Sequence, residues 1–226
     1  VALAAPVRVA AQEESVVEQI APLLAAEDAR DFKRDLLSRG LVAPDSLVRQ
    51  TAALAAGRIG DLRATPLLVP LLVDPDSTVR VRAAFALGLL RDTAAVKPLI
   101  DRLTGLPALD PTTAVESIVA LAKIGGPAAG EFFAGVLGGK VALSQDNREP
   151  ARLEIVLQSW RLDRDAPVAN LLPFMDDTNP GVRWRAVYAL GRLRAPAAAE
   201  RMLIALRDPE SYTRSLAARA LTRKYA

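Results

Sequence analysis

Apolar and polar positions alternate along this chain with the period of a helix. Val79, Ala83, Ala86 and Leu90 fall at i, i+4, i+7 and i+11, along one face of a 3.6-residue helix. Four shorter stretches, 65–73, 94–103, 168–175 and 197–206, carry apolar pairs four residues apart: Leu68/Leu72, Leu99/Leu103, Leu171/Met175 and Met202/Leu206. They predict second helices that bury one stripe each. Asp74-Pro75, Asp110-Pro111, Asn179-Pro180 and Asp208-Pro209 predict helix starts, a side-chain acceptor followed by a residue with no N–H to leave orphaned.

The pattern repeats. DSLVRQTAALAAGRIGD, from Asp45 to Asp61, aligns with DSTVRVRAAFALGLLRD, from Asp76 to Asp92, at an offset of 31. Val182, Arg183, Ala186, Ala189, Gly191 and Leu193 restate it, and Thr213, Arg214, Ala217 and Ala220 do so 31 residues later. Two degenerate copies lie between, around Ser117–Ile124 and Val156–Leu162, giving about six repeats spaced 31, 34, 38, 31 and 31 residues apart. Each repeat reads as two helices, with alanine and Gly57, Gly88 and Gly191 letting neighbouring axes approach closely. Residues 12–44 form a capping helix pair, and 45–226 the array, its last repeat incomplete.

The signature D-P-D-x-x-V-R-x-x-A-A-x-A-L-G-x-[IL], clearest in the second and fifth repeats, resembles the HEAT-repeat family, in particular its short bacterial form and the phycobilin-lyase-type HEAT-like repeats. The degenerate repeats depart from it: Ala114 stands where Arg is expected and Trp160 where Gly is expected. The resemblance implies an all-α fold, a right-handed α-solenoid (superhelix) of stacked antiparallel helix pairs, whose second helices line a concave binding surface. It also implies a non-catalytic scaffold for a protein or peptide partner.

The recurring Arg49, Arg80, Arg183 and Arg214 sit one turn into first helices, where they can bond turn carboxylates or neighbouring carbonyls. They are expected to form a structural ladder, a role the resemblance also implies. Subtracting the buried stripe from the second helices leaves an outward row of Pro70, Asp101, Pro173 and Ile204 beside another of Leu71, Arg102, Phe174 and Ala205. Leu71, Phe174 and Ile204 are apolar where a solvated face would be polar, and exposed apolar patches mark interaction sites. Lys97, Glu200 and Arg201 form a charged rim. Trp160 reads as filler between mismatched repeats; Trp184, beside Arg183 and Arg185, reads equally as a partner anchor. Insertions at 104–113 (three residues) and 138–150 (GGKVALSQDNREP, seven residues) are expected to be loops.

Composition narrows the chemistry. With no Cys and no His among 226 residues, disulfides, thiolate or imidazole metal sites and His-based triads are excluded. Iron-dependent HEAT hydroxylases, which rely on His-Glu motifs, are excluded with them. Gly125-Gly126 and Gly138-Gly139 lack the setting of a phosphate loop, and Asp163/Asp165 and Asp176/Asp177 read as caps or solvated turns. No catalytic residue, metal ligand or cofactor is assigned, and any catalysis would reside in a domain outside these residues. The net charge of +3 is too small to imply nucleic acid, although 176–226 holds ten Arg and Lys against five Asp and Glu. Rival readings are a HEAT-like DNA glycosylase, disfavoured by 4% aromatic content, and a bilin lyase subunit.

No apolar run spans a membrane. Residues 1–11, VALAAPVRVAA, read as a signal-peptide remnant or an unstructured arm, the former favouring export to the periplasm and the latter a cytoplasmic chain. The final repeat has a first helix and no second, leaving Ala217, Ala218 and Leu221 uncovered on one flank. The expectation is that the polypeptide continues past Ala226 or that this end self-associates end to end.

Overall fold

The computed structural model describes the backbone of residues 4–222 and the side chains of 16–221; the signal-remnant reading of 1–11 and the end of the last repeat lie outside those side chains. Every regular element among the described residues is helical. The chain divides into two compact units, Val1–Leu99 and Ile100–Ala226.

The first unit holds α1 (Ala4–Asp28), α2 (Arg34–Leu41), α3 (Ser46–Ile59), α4 (Thr65–Leu68) and α5 (Ser77–Leu90). Helix α3 lies between α1 and α5, and Leu23, Leu37, Val48, Leu68 and Leu87 are fully or almost fully buried around it. The close approach of α3 and α5 needs a missing side chain, because a Cβ on Gly57 would stand 2.7 Å from both Cα and Cβ of Ala86. Asp45 and Asp76 cap α3 and α5, accepting from the amides of Leu47 and of Thr78 and Val79. Helix α6 (Val96–Thr104) follows.

The second unit continues with α7 (Pro111–Ile124), α8 (Pro127–Leu137), α9 (Gln145–Gln158), α10 (Val168–Leu171), α11 (Pro180–Leu193), α12 (Ala199–Ala205) and α13 (Ser211–Thr222). First helices α7, α9, α11 and α13 lie side by side in that order. One buried cluster, including Val156, Leu171, Met175, Val187, Leu190 and Met202, joins α9, α11 and α13 to the second helices α10 and α12.

The structure corrects several expectations. The second helices at 65–73 and 168–175 are α-helical for only one turn and tighten to 3-10 geometry over Val69–Val73 and Leu172–Asp176. Each 3-10 stretch has a proline, Pro70 or Pro173, at its start, where an α-helix would need an N–H to donate. Leu206 is 37% exposed, and Ala205 takes the buried place one residue earlier. Of the four Asx-Pro pairs, only Asp110 and Asn179 are N-caps; α5 is capped by Asp76, which leaves Asp74 for another bond.

The insertion at 138–150 is only half loop, since Gln145–Pro150 is the opening of α9. Its buried Asn147 donates to the Leu109 carbonyl at 2.9 Å, tying this insertion to the one at 104–113. Helix α8, rich in Gly and Ala, supplies the second helix of the degenerate repeat at Ser117–Ile124, outside the four second-helix stretches expected from the sequence.

Candidate functional site

The arginines of the repeat occupy one geometry four times. Nη1 of Arg49 donates to the carbonyls of Ala43 and Pro44; Arg80 donates to Asp74 and Pro75. In the second unit Arg183 donates to Asp177 and Thr178, and Arg214 to Asp208 and Pro209. Each guanidinium thus closes the turn that leads into its own helix, satisfying carbonyls that no helix bond reaches.

Arg49 and Arg183 also grip the next repeat. Arg49 forms a two-bond fork with Asp74, at 2.8 and 2.9 Å, and Arg183 forms one with Asp208, at 2.8 and 3.1 Å. Both pairs are largely buried, with side-chain exposures of 13% and 9% for the first and 15% and 7% for the second. The shared hydrogen bonds raise the guanidinium pKa of Arg49 and Arg183 despite desolvation, and Arg183 holds the Asp208 carboxyl below its ordinary value. Asp208 and Asp74 also accept the amides of Glu210 and Asp76, so each acid fixes a turn as well.

Sequence reasoning missed a further rung. Arg152 contacts Asp177 at 3.6 Å, the same separation of 25 residues that joins Arg49 to Asp74 and Arg183 to Asp208. The signal was present, because an offset of 72 aligns Arg152 with Arg80.

The outward rows separate. Pro70, Asp101, Pro173 and Ile204 are exposed, whereas Leu71 and Ala205 are buried at 5% and 7%. Leu71 is therefore corrected from a surface to a core residue: the 3-10 turn at Pro70 rotates it inward. Phe174 is half-buried, packed on the core of the second unit, with the Arg152 guanidinium 5.6 Å from its ring centre. Arg102, also half-buried, donates to the Pro107 carbonyl and braces the 104–113 insertion. Lys97 and Glu200 are exposed. Trp184 packs on the core and lies 5.4 Å from Tyr212, with Arg185 over its ring at 4.4 Å.

Of the candidate residues, Arg201 and Ile204 come together. They line a cleft of about 880 Å³ in the second unit, with Met175, Leu203 and Leu206 giving its apolar lining. Leu203 and Ile204 are 58% and 65% exposed. Arg201 bonds Asp176 at 3.1 Å on one edge, and Arg207 stands on the lining with no ion pair among the described residues. Neither Leu203 nor Arg207 was singled out from the sequence. In so short a 3-10 and α mixture the apolar pattern does not fix the register closely enough to separate 203 from 204.

Among the described residues no cluster of His, Cys, Asp and Glu could hold a metal ion, and no helix is long and apolar enough to cross a membrane.

A family model described as HEAT repeats matches residues 11–80, 65–141 and 140–222. No curated protein matches the chain. A designed armadillo repeat protein is similar in structure, with a TM-score of 0.50 and 18% identity over 82% of this chain and 97% of its own. The CpcE–CpcF complex of phycocyanin lyase from Nostoc sp. PCC7120 is similar at a TM-score of 0.48 and 23% identity, covering 90% of this chain and 79% of that one. Human deoxyhypusine hydroxylase is similar at a TM-score of 0.44 and 20% identity, covering 96% and 98%. These likenesses concern the helical-repeat fold.

Proposed function

The chain belongs to the HEAT-repeat family, an all-α, α-solenoid class, and from that premise we propose that it is an interaction scaffold that takes up an apolar segment of a protein or peptide partner. The observation that carries this reading is the cleft of the second unit. Leu203 and Ile204 present large side chains to solvent there, at 58% and 65% exposure, where burial would release roughly 1.5–3 kcal/mol each. The flanking Arg201–Asp176 pair supplies a polar rim of the kind that surrounds binding hot spots.

The lack of His and Cys removes the commonest general base and the thiol nucleophile, and leaves carboxylates, Lys, Tyr and Ser for any chemistry.

The test is selection of peptides displayed on phage against the full chain. Enriched sequences should share apolar side chains at helical spacing, and Ile204→Asp and Leu203→Asp should weaken them at least about tenfold at unchanged melting temperature. Failure to enrich, or binding indifferent to both substitutions, would reject the reading.

A further inference from the structure

The first-helix face of the second unit carries a row of aromatic rings and guanidinium groups that the cleft does not use. Trp184, Tyr188 and Arg192 follow at i, i+4 and i+8 along α11, so one edge of that helix presents all three. Trp160, just past α9, stands edge-on to Tyr188 with ring centres 6.5 Å apart. On the other side Tyr212 of α13 meets Trp184. Trp184 and Tyr188 are rooted on the buried cluster, while Tyr212 remains 55% exposed.

Three guanidiniums lie on these rings. Arg192 is 4.0 Å and Arg161 4.5 Å from the Trp160 ring centre; Arg185 is 4.4 Å from that of Trp184. Arg161 also donates to the Gln158 side chain, and Arg185 to the Gly181 carbonyl. None of the three meets a carboxylate among the described residues. The nearest acid in this bonded chain is Glu154, one side chain removed, which accepts from Gln158. Positive charge is therefore held in place on a half-exposed aromatic floor with no carboxylate in direct contact among the described residues.

A guanidinium stacked on a ring still offers N–H groups to a carboxylate: Arg192 its whole edge, Arg161 its Nη groups because Nε is given to Gln158, and Arg185 what remains beside the Gly181 bond and a buried Nε. A single-stranded nucleic acid would instead need uncovered ring faces for its bases, and the Trp160 ring carries two guanidiniums. We propose that this face binds an acidic polypeptide segment, whose carboxylates engage Arg161, Arg185 and Arg192 while its apolar side chains rest on Tyr188 and Tyr212. Ordering of these arginines by the rings lowers the entropy lost on binding.

The experiment uses the full chain and three probes: fluorescein-labelled poly-L-glutamate, a peptide alternating Glu and Leu, and a twenty-nucleotide dT strand. The acidic peptide should bind best, with affinity falling as salt rises from 50 to 200 mM, an interval chosen to span strong screening. Replacing Arg161, Arg185 and Arg192 together by Gln should weaken it at least about tenfold. Arg207→Glu, which shifts the net charge by the same amount in the second-helix cleft as Arg192→Glu does on this face, should leave it within about twofold, which separates this face both from net charge and from the proposed cleft. Arg192→Glu, at an exposed side chain with no hydrogen bond to lose, repeats the test should the triple variant fold poorly. Tighter binding of dT, equal effects of Arg207→Glu and Arg192→Glu, or no binding of either acidic probe overturns the proposal.

Discussion

At the scale of the residue, the repeat lets one position be compared with its counterparts. Val48, Val79 and Val182 are fully or almost fully buried at equivalent places, where two other repeats have Thr113 and Thr213. Thr113 donates its hydroxyl to Asp110 at 2.6 Å. Thr213 is equally buried, and its Oγ1 has no partner. Thr213→Val should therefore stabilise the chain by about 1 kcal/mol, while Thr113→Val should not, as urea unfolding of the two variants will show. The Arg183–Asp208 fork gives the opposite sign. Arg183→Ala leaves a largely buried carboxylate unpaired and should cost about 3 kcal/mol, whereas Arg207→Ala should change stability by less than about 0.5 kcal/mol. The pH dependence follows from the lowered carboxyl of Asp208, for which the Arg183 hydrogen bond is the largest cause. A depressed carboxyl stabilises the fold above its unfolded pKa, about 3.9, and that contribution disappears as pH falls through the folded value. Parent protein should therefore lose stability below about pH 4, and Asp208→Asn should show a shallower acid slope in the same denaturant series.

Single elements are governed by how closely two helices approach, and here helix propensity and packing oppose each other. Gly57→Ala would gain about 1 kcal/mol of propensity inside α3. The added Cβ, however, would stand 2.7 Å from the backbone of Ala86 as well as from its side chain, and overpacking of that kind costs about 1–3 kcal/mol. Net destabilisation is expected, and Ala86→Gly should rescue it only in part, because the clash with the backbone at position 86 remains. Much at this scale was legible beforehand. Gly57 and the alanines around it announced the close approach because small residues have few other reasons to recur every 31 positions. What escaped was set by neighbours instead of by pattern. Pro70 and Pro173 fall within apolar runs that scan as helix, yet they tighten the backbone and turn Leu71 inward. Pro150 lies within α9, although it closes a stretch whose glycines and polar residues read as loop. Arg152 completes a rung that becomes visible only once the turn acid, and not the helix start, is recognised as the second member of the pair.

For the molecule as a whole, nearly everything legible in the sequence concerned neighbours, because a repeat array is a chain of local interfaces. Family and helical class followed from the repeat itself; of the cleft, Arg201 and Ile204 were legible, and Leu203 and Arg207 were not. Exposure of Leu203 and Ile204 depends on which side of α12 meets the core, and a seven-residue helix gives too few turns to fix that side from pattern alone. The same locality makes a prediction about cooperativity. Helix α3 packs on α1, α2 and α5 in the first compact unit, and α11 on α9, α13 and the adjoining second-helix segments in the second. Gly57→Ala and Gly191→Ala each place a Cβ within 2.8 Å of an alanine on the next first helix, Ala86 in one unit and Ala220 in the other. If stability is a sum of nearest-neighbour terms, Gly57→Ala should lower hydrogen-exchange protection in α3 and α5 while leaving α11 and α13 unchanged, and Gly191→Ala should do the reverse. Equal loss of protection across all four helices in either variant would mean that the array unfolds as one cooperative body, and the additive description would have to be abandoned.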